Sequence, residues 1–398
     1  MISRDMGGPS AAQLDSRIAS LSNLQALAAG QVASAEIRQL VASASPAMKK
    51  IDEAQSKLQC VFPTELTVDA QLPHAMAART LARLTCLELA DARNSGDFDQ
   101  AEAAIRRCLR LSRDLRPRGP MVCQIVSMAI DGVVLGAIEQ ITLRDPKLTT
   151  AQCDRILALL VEHQQLGVDP FAEGLRMDYI MSRNSIHDLQ TGRLTLAQLY
   201  EFMGGEPIDS SLLSGPTIMN FSAEVSACDR IYGLALKAAS NPVARADEFA
   251  SLHAELARMK ADWDAFHTRL KATDPASRRN LVAEMPAMQF HVWIAGIEPS
   301  RQACRRIATN VAGLQMLLAL RRFELANRRL PATLAEAASA TILKTVPVDT
   351  YSGQALQLVT IAGQPTIYSI GNDLKDDGGR IDWKQGTVPG DFLFVLNR

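Results

Sequence analysis

The sequence is poor in aromatic residues, has no surplus of either charge, and contains none of the spaced motifs that announce a reaction. Aromatics make up 5% of the 398 residues, while alanine and leucine abound, which points to helix packed on helix. Lysine and arginine number 42 against 43 acids, a formal charge of -1, so the basic surplus that drives nucleic-acid binding is missing. Charged residues are 21% and hydrophobic ones 47%, which excludes global disorder and leaves core enough for two or three domains. HExxH, GxSxG, the P-loop and a GxGxxG after a strand are all absent. His74, His163, His187, His253, His267 and His291 never pair at metal-ligand spacing, which argues against zinc. The seven cysteines are scattered through apolar patterns without a CxxC. They read as small buried hydrophobes, not a disulfide framework, and mildly favour a reducing compartment.

Met1 to Gly8 lack the apolar core of a signal peptide. The longest apolar run, Ile125 to Ile138, is interrupted by Ser127, Asp131, Gly132 and Gly136 and is too short to span a bilayer. The expectation is a chain without a transmembrane segment, any native anchor lying outside this sequence.

Residues 1–300 read as an α-helical, solenoid-like domain of helices with short links. His74 to Asn94 and Phe98 to Leu115 form an αα-hairpin around the stop Ser95-Gly96-Asp97. Its second helix resembles the second helix of a tetratricopeptide repeat, but no second copy follows at the repeat spacing. Met121 to Leu143 is apolar almost all round and reads as a central buried helix, with Asp131 a buried-carboxylate candidate inside it. Further helices are expected over Thr150 onward, Asp169 to Leu189, Thr195 to Phe202, Asn220 to Ala239, Ala244 to Leu270 and Asn280 to Ile297.

Residues 301–398 change character: a long helix, a short helix at Thr333 to Ala338, then a small antiparallel sheet. Ala355 to Thr360 and Thr366 to Ile370 read as a hairpin around Gly363-Gln364-Pro365, with Phe392 to Leu396 a third strand. The long helix and its end carry seven arginines against one acid, Glu324. Those arginines suit a solvated face or, more sharply, an acidic partner surface.

Asp373, Asp376, Asp377 and Asp382 crowd around Gly378-Gly379, a composition that can gather oxygens about a hard cation. The same residues also fit a polar turn of solvated acids. The loop is not an EF-hand, since Lys375 and Lys384 fall on ligand positions.

The order Leu320 to Pro331, then Val346-Pro347-Val348-Asp349-Thr350-Tyr351-Ser352-Gly353, then Ile367-Tyr368-Ser369-Ile370-Gly371-Asn372-Asp373, then Asp376-Asp377-Gly378-Gly379 and Ile381-Asp382 resembles the globular half of the major pseudopilin of type II secretion systems. The resemblance covers about 85 residues, roughly 305–390. Three features depart from the family: Thr350 follows Asp349 in place of proline, Leu374 replaces a glycine, and some 300 helical residues stand where the family has its membrane helix. The whole chain also loosely resembles uncharacterised bacterial envelope proteins with a helical body and such a tail. The pseudopilin resemblance implies calcium held by Asp373, Asp382 and carbonyls near Ile370, with Asp376 and Asp377 as extra acids. It also implies an extracytoplasmic setting.

The function expected from these readings is a non-enzymatic, envelope-associated binding or scaffold protein. Its helical body would meet a protein partner, and calcium would stiffen its tail. One alternative is a hydrolase-like enzyme whose site is assembled between helices from Asp131, His187 and His267. The other is a cytoplasmic helical adaptor.

Overall fold

The computed structural model describes residues 16–18, 20–21, 27, 34–57, 60, 62, 64–203, 221–240, 249–274, 277–281, 284, 286–287, 296–379 and 390–396. Asp382, His291, Trp293, Trp383 and the 204–216 loop lie outside them. Within the described residues the chain is mostly helical, with a three-stranded antiparallel sheet near its C-terminus.

Helices α1 (Ser34–Gln55), α2 (Pro73–Ser95) and α3 (Phe98–Leu115) pack side by side. The α2–α3 turn is built locally: Gly96 takes a left-handed φ of 75° and returns its N–H to Ala92 and Arg93 carbonyls. Asp97 then caps α3 by accepting from the Gln100 N–H at 3.0 Å. The stop at Arg116-Pro117-Arg118-Gly119-Pro120 leads into α4 (Met121–Ala137), which continues as one turn of π-helix, Ile138–Thr142.

Met121–Thr142 is long and apolar enough to cross a membrane by length and composition, a longer stretch than Ile125 to Ile138. In the fold, two thirds of its most apolar window is buried inside the protein. It lies against α2, α3 and α6 (Pro170–Thr191), with Val122 and Ile125 left exposed. Helix α5 (Thr150–Leu166) opens on a Thr149–Gln152 capping box, and Asp169 caps α6. α7 (Leu196–Met203), α8 (Phe221–Ala239) and α9 (Ala250–Ala272) follow; α8 packs on α6 and forms with it and Phe249 a second apolar cluster.

The long helix α10 (Ile297–Asn327) packs along α5 and α4, and α11 (Leu334–Ser339) folds back on it. One cluster of buried residues therefore runs from Ile37 of α1 through Leu317 and Leu318 of α10 to Ile367 and Phe394 of the sheet. The core crosses the point near residue 300 where the pattern changes.

Strands β1 (Gln357–Ile361), β2 (Gln364–Ser369) and β3 (Phe392–Val395) pair in that order. The hairpin turn is Ala362-Gly363, both at positive φ, a two-residue loop whose twist suits antiparallel strands. That places Gln364 and Pro365 inside β2, one step past the turn that the residue types suggest.

Phe394 is 7% exposed and lies flat against α10 at Gly313, where an added Cβ would fall 2.5 Å from three ring atoms. Overpacking of this kind costs about 1–3 kcal/mol, against about 1 kcal/mol gained by alanine over glycine in a helix. Gly313→Ala is therefore expected to lower Tm in the wild type. In a Phe394→Ala background the same change should raise it, because only the helix-propensity gain remains. Equal effects in the two backgrounds would show that the sheet does not rest on α10.

Candidate functional site

The tail acids divide into those facing water and those holding backbone. Asp373 accepts the Lys375 N–H at 3.2 Å, and the Asp377 carboxylate is on an exposed residue. Asp376 accepts from the Gly378 N–H at 2.9 Å, the Tyr368 hydroxyl at 3.2 Å and the Gln357 amide at 3.3 Å. The Gly378 N–H first, then Gln357 and Tyr368, hold its carboxyl below the usual range. Ile370 directly follows β2 and is half-buried. Among the described residues, no three His, Cys, Asp or Glu side chains are grouped as a cation would require.

The acid at the centre of the loop is Asp391, fully buried at the start of β3, which accepts the Gly379 N–H at 2.7 Å. Gly371 can approach Gly390 because it has no side chain; a Cβ there would lie 2.2 Å from the Gly390 carbonyl oxygen. Leu374, standing where the pseudopilin pattern has glycine, adopts a left-handed φ of 58°. The two motif segments upstream are joined through Asp349. Its buried carboxylate accepts the Ser369 hydroxyl at 2.7 Å, the Ser352 hydroxyl at 2.9 Å and the Tyr351 N–H at 3.0 Å.

A second concentration of buried charge centres on Asp131, Arg116 and His163, far from these motifs along the chain. Asp131 sits in the middle of apolar α4, fully buried. The Arg116 guanidinium, at the end of α3, donates to its Oδ2 at 2.5 Å. His163, near the end of α5, places Nε2 3.2 Å from Oδ1 and 3.4 Å from the Arg116 Nη2. Burial works against the Asp131 charge, but Arg116, then His163 and Ser112, outweigh it and hold the carboxyl below its usual range. Asp131 Oδ1, His163 Nδ1 and Arg116 Nε are buried without a well-aligned hydrogen-bond partner.

These three residues form one wall of a cavity of about 400 Å³ between α4, α5, the start of α6 and the N-terminal half of α10. Arg301 and Arg305 of α10, only 5% and 7% exposed, line the same cavity. Arg301 makes a two-pronged pair with Glu298 and covers the Phe249 ring at 4.6 Å. Arg305 lies over the Tyr351 ring at 5.5 Å. Burial and the like charge of Arg301 push the Arg305 guanidinium below its ordinary value. Cys304 also lines the cavity, and burial pushes its thiol up to about 12. It therefore stays protonated. Thr350 reaches the same wall, where its hydroxyl bonds to the Arg305 carbonyl at 3.1 Å and to the Thr309 hydroxyl at 2.7 Å. A proline at 350 could make neither bond.

Asp131 is thus paired, but not with the histidines grouped with it from sequence. His187 and His267 are exposed on α6 and α9, His267 stacked on Trp263. The partner is His163, one polar residue on the apolar face of Ile156, Leu157 and Leu160. That isolation was its one signal. The arginine run divides as well: Arg301 and Arg305 turn to the cavity, Arg322 pairs with Asp154 at 3.1 Å, and Arg306, Arg328 and Arg329 are exposed.

Asp131 is held below its unfolded value, so the stability it contributes is present above about pH 4 and is lost as pH falls through the lower folded value. Asp131→Asn leaves Arg116 buried against a neutral amide and is expected to cost about 3–5 kcal/mol at neutral pH. The gap to wild type should narrow as pH falls below about 4, as read by urea unfolding across pH. A gap that does not change with pH would mean that Asp131 carries no charge in the fold.

No family model matches the chain, and no curated protein or solved structure matches it either, so the functional reading rests on this geometry.

Proposed function

We propose that the protein is a binding protein that takes a small anionic molecule into the cavity between its helical body and α10. The observation that carries this reading is the buried wall of Arg116, Arg301 and Arg305 around a space of about 400 Å³. Guanidinium groups are costly to bury, and a fold that buries three beside a cavity of ligand size is organised to hold negative charge. The protonated Cys304 thiol and the internally paired Asp131 favour holding a ligand over transforming it. A ligand bound only by the folded state stabilises by RT ln(1 + [L]/Kd), about 2.7 kcal/mol at one hundred times Kd. Thermal unfolding of the full chain with a panel of small anions, neutral molecules and cations is expected to show stabilisation by anions alone. Ala308→Trp, which puts an indole into the cavity, should abolish it. No stabilisation by any compound, or one that survives Ala308→Trp, contradicts the reading.

A second reading concerns the C-terminal module, taken as pseudopilin-like, calcium-stiffened and placed outside the cytoplasm, with the helical body meeting a protein partner. It is supported by the Asp349–Ser369 bond that joins two segments of the motif, and by the left-handed backbone at Leu374 where the family has glycine. Millimolar calcium should then raise Tm and release heat on titration. Asp373→Asn and Asp382→Asn should each remove both effects. Absence of heat and of any thermal shift sinks this second reading without touching the first.

A further inference from the structure

We infer a second site in the small pocket between the starts of α4 and α10 and the middle of α6. It takes a primary ammonium group on a short aliphatic chain, the ammonium on Asp178 and the chain against the apolar wall. This goes beyond the cavity reading and shares no lining residue with it. Asp178 is the one charged side chain among the described residues that line the pocket. Its Oδ1 accepts the Met121 N–H at the start of α4 at 2.9 Å. Among the described residues nothing donates to Oδ2, and no arginine, lysine or histidine acts on the carboxylate. Burial pushes its carboxyl up to about 6, and the Met121 N–H, which opposes burial, does not outweigh it. At neutral pH it is still ionised. Tyr232 and Cys123 feel its charge, but both are themselves pushed upward and stay neutral. The start of α4 does not require a carboxylate. Asparagine would accept the same N–H without the cost of half-burying a charge. A cation at Oδ2 would offset that cost.

The remaining lining sets the body of the ligand. Pro120, Met121, Val122, Ile125, Met181 and Ile297 make the wall apolar. Val122 and Ile125 are 48% and 46% exposed, so the pocket opens to solvent along hydrocarbon. A chain entering past them keeps its carbons in contact while its head reaches Asp178. Ser300, on the first turns of α10, contributes the other side-chain oxygen in the lining, a second acceptor for ammonium. The volume of about 230 Å³ lies below the roughly 300–1,000 Å³ of ordinary ligand pockets, which restricts the occupant to a short chain. An inorganic cation or methylammonium has the charge but would leave the wall bare. Simple cations of that kind are not expected to stabilise the chain.

The test is calorimetric titration of the full chain at neutral pH with pentylamine, pentan-1-ol and methylammonium. Pentylamine is expected to bind one to one and at least tenfold more tightly than either of the others. Asp178→Asn keeps an acceptor for the Met121 N–H and should weaken pentylamine at least tenfold, to the level of pentan-1-ol. A lysine blocked at both backbone ends carries the same ammonium on a peptide. Affinity equal to that of pentylamine identifies a partner's lysine side chain as the source, and affinity at least tenfold weaker identifies a free amine. The inference is overturned if pentylamine does not bind or if either other probe binds as tightly. A loss of less than tenfold in Asp178→Asn also overturns it. Should Asp178→Asn lose its helical circular dichroism, Ile125→Trp, at an exposed position on the pocket's edge, decides: lost binding supports the site and retained binding overturns it. Binding that Ala308→Trp removes and Ile125→Trp leaves belongs to the larger cavity and overturns the inference. Stabilisation by anions is lost or kept independently of all these results.

Discussion

A carboxylate buried in an apolar helix has to be met by buried donors, and Asp131 imposes that condition on the centre of this fold. It is met by Arg116 from the end of α3 and His163 from the end of α5, so one ionic cluster fixes where three helices come together. Breaking such a pair leaves an uncompensated charge, whereas removing both partners can be nearly neutral. The cluster therefore specifies an arrangement more than it supplies stability. The ends of α3 and α5, held at this point with the link that opens α6, leave a space that α10 covers.

Helix α10 works along its whole length. Its first turns carry Arg301 and Arg305 to the cavity, its middle buries Leu314, Leu317 and Leu318 against the helical body, and Gly313 gives Phe394 of the sheet a flat seat. The segment at Asp349 and Thr350 completes the link. Asp349 holds Ser369 of β2, and the next residue bonds back to α10 beside Arg305. Thr350 and Asp349 thus tie the α10 backbone at Arg305 to the sheet. Cavity and C-terminal module are neighbours in packing although they lie far apart in the chain.

Helix placement was legible because caps and breakers are local. Gly96-Asp97, Thr149 with Gln152, and Asp169-Pro170 each end or start a helix with their own side chains, and the hairpin α2–α3 falls where they put it. The hairpin strands were legible from alternation, with the turn displaced by one residue because two successive positive φ angles at Ala362 and Gly363 make the tighter loop; which strand the third one pairs with was not. The cavity was not legible. Asp131 stood out as a charge in an apolar helix, but its partner lies 32 positions away, and His163 carries no motif. Arg301 and Arg305 read as a solvated face because an arginine on a helix surface and one beside a cavity share the same spacing. Only the packing of α10 distinguishes them. Asp391 was missed for the same reason: its role is set by loop N–H groups from residues 377 and 379.

The most direct measurement is a high-resolution crystal structure of the full chain grown in the presence of a small anion that raises its Tm, refined with the cavity left empty at first. The account predicts Arg116 paired with Asp131 and difference density for an anion in the cavity beside the guanidinium groups of Arg116, Arg301 and Arg305. It is contradicted if α10 closes onto α4 so that no space remains, or if Arg301 and Arg305 turn their guanidinium groups out to bulk solvent.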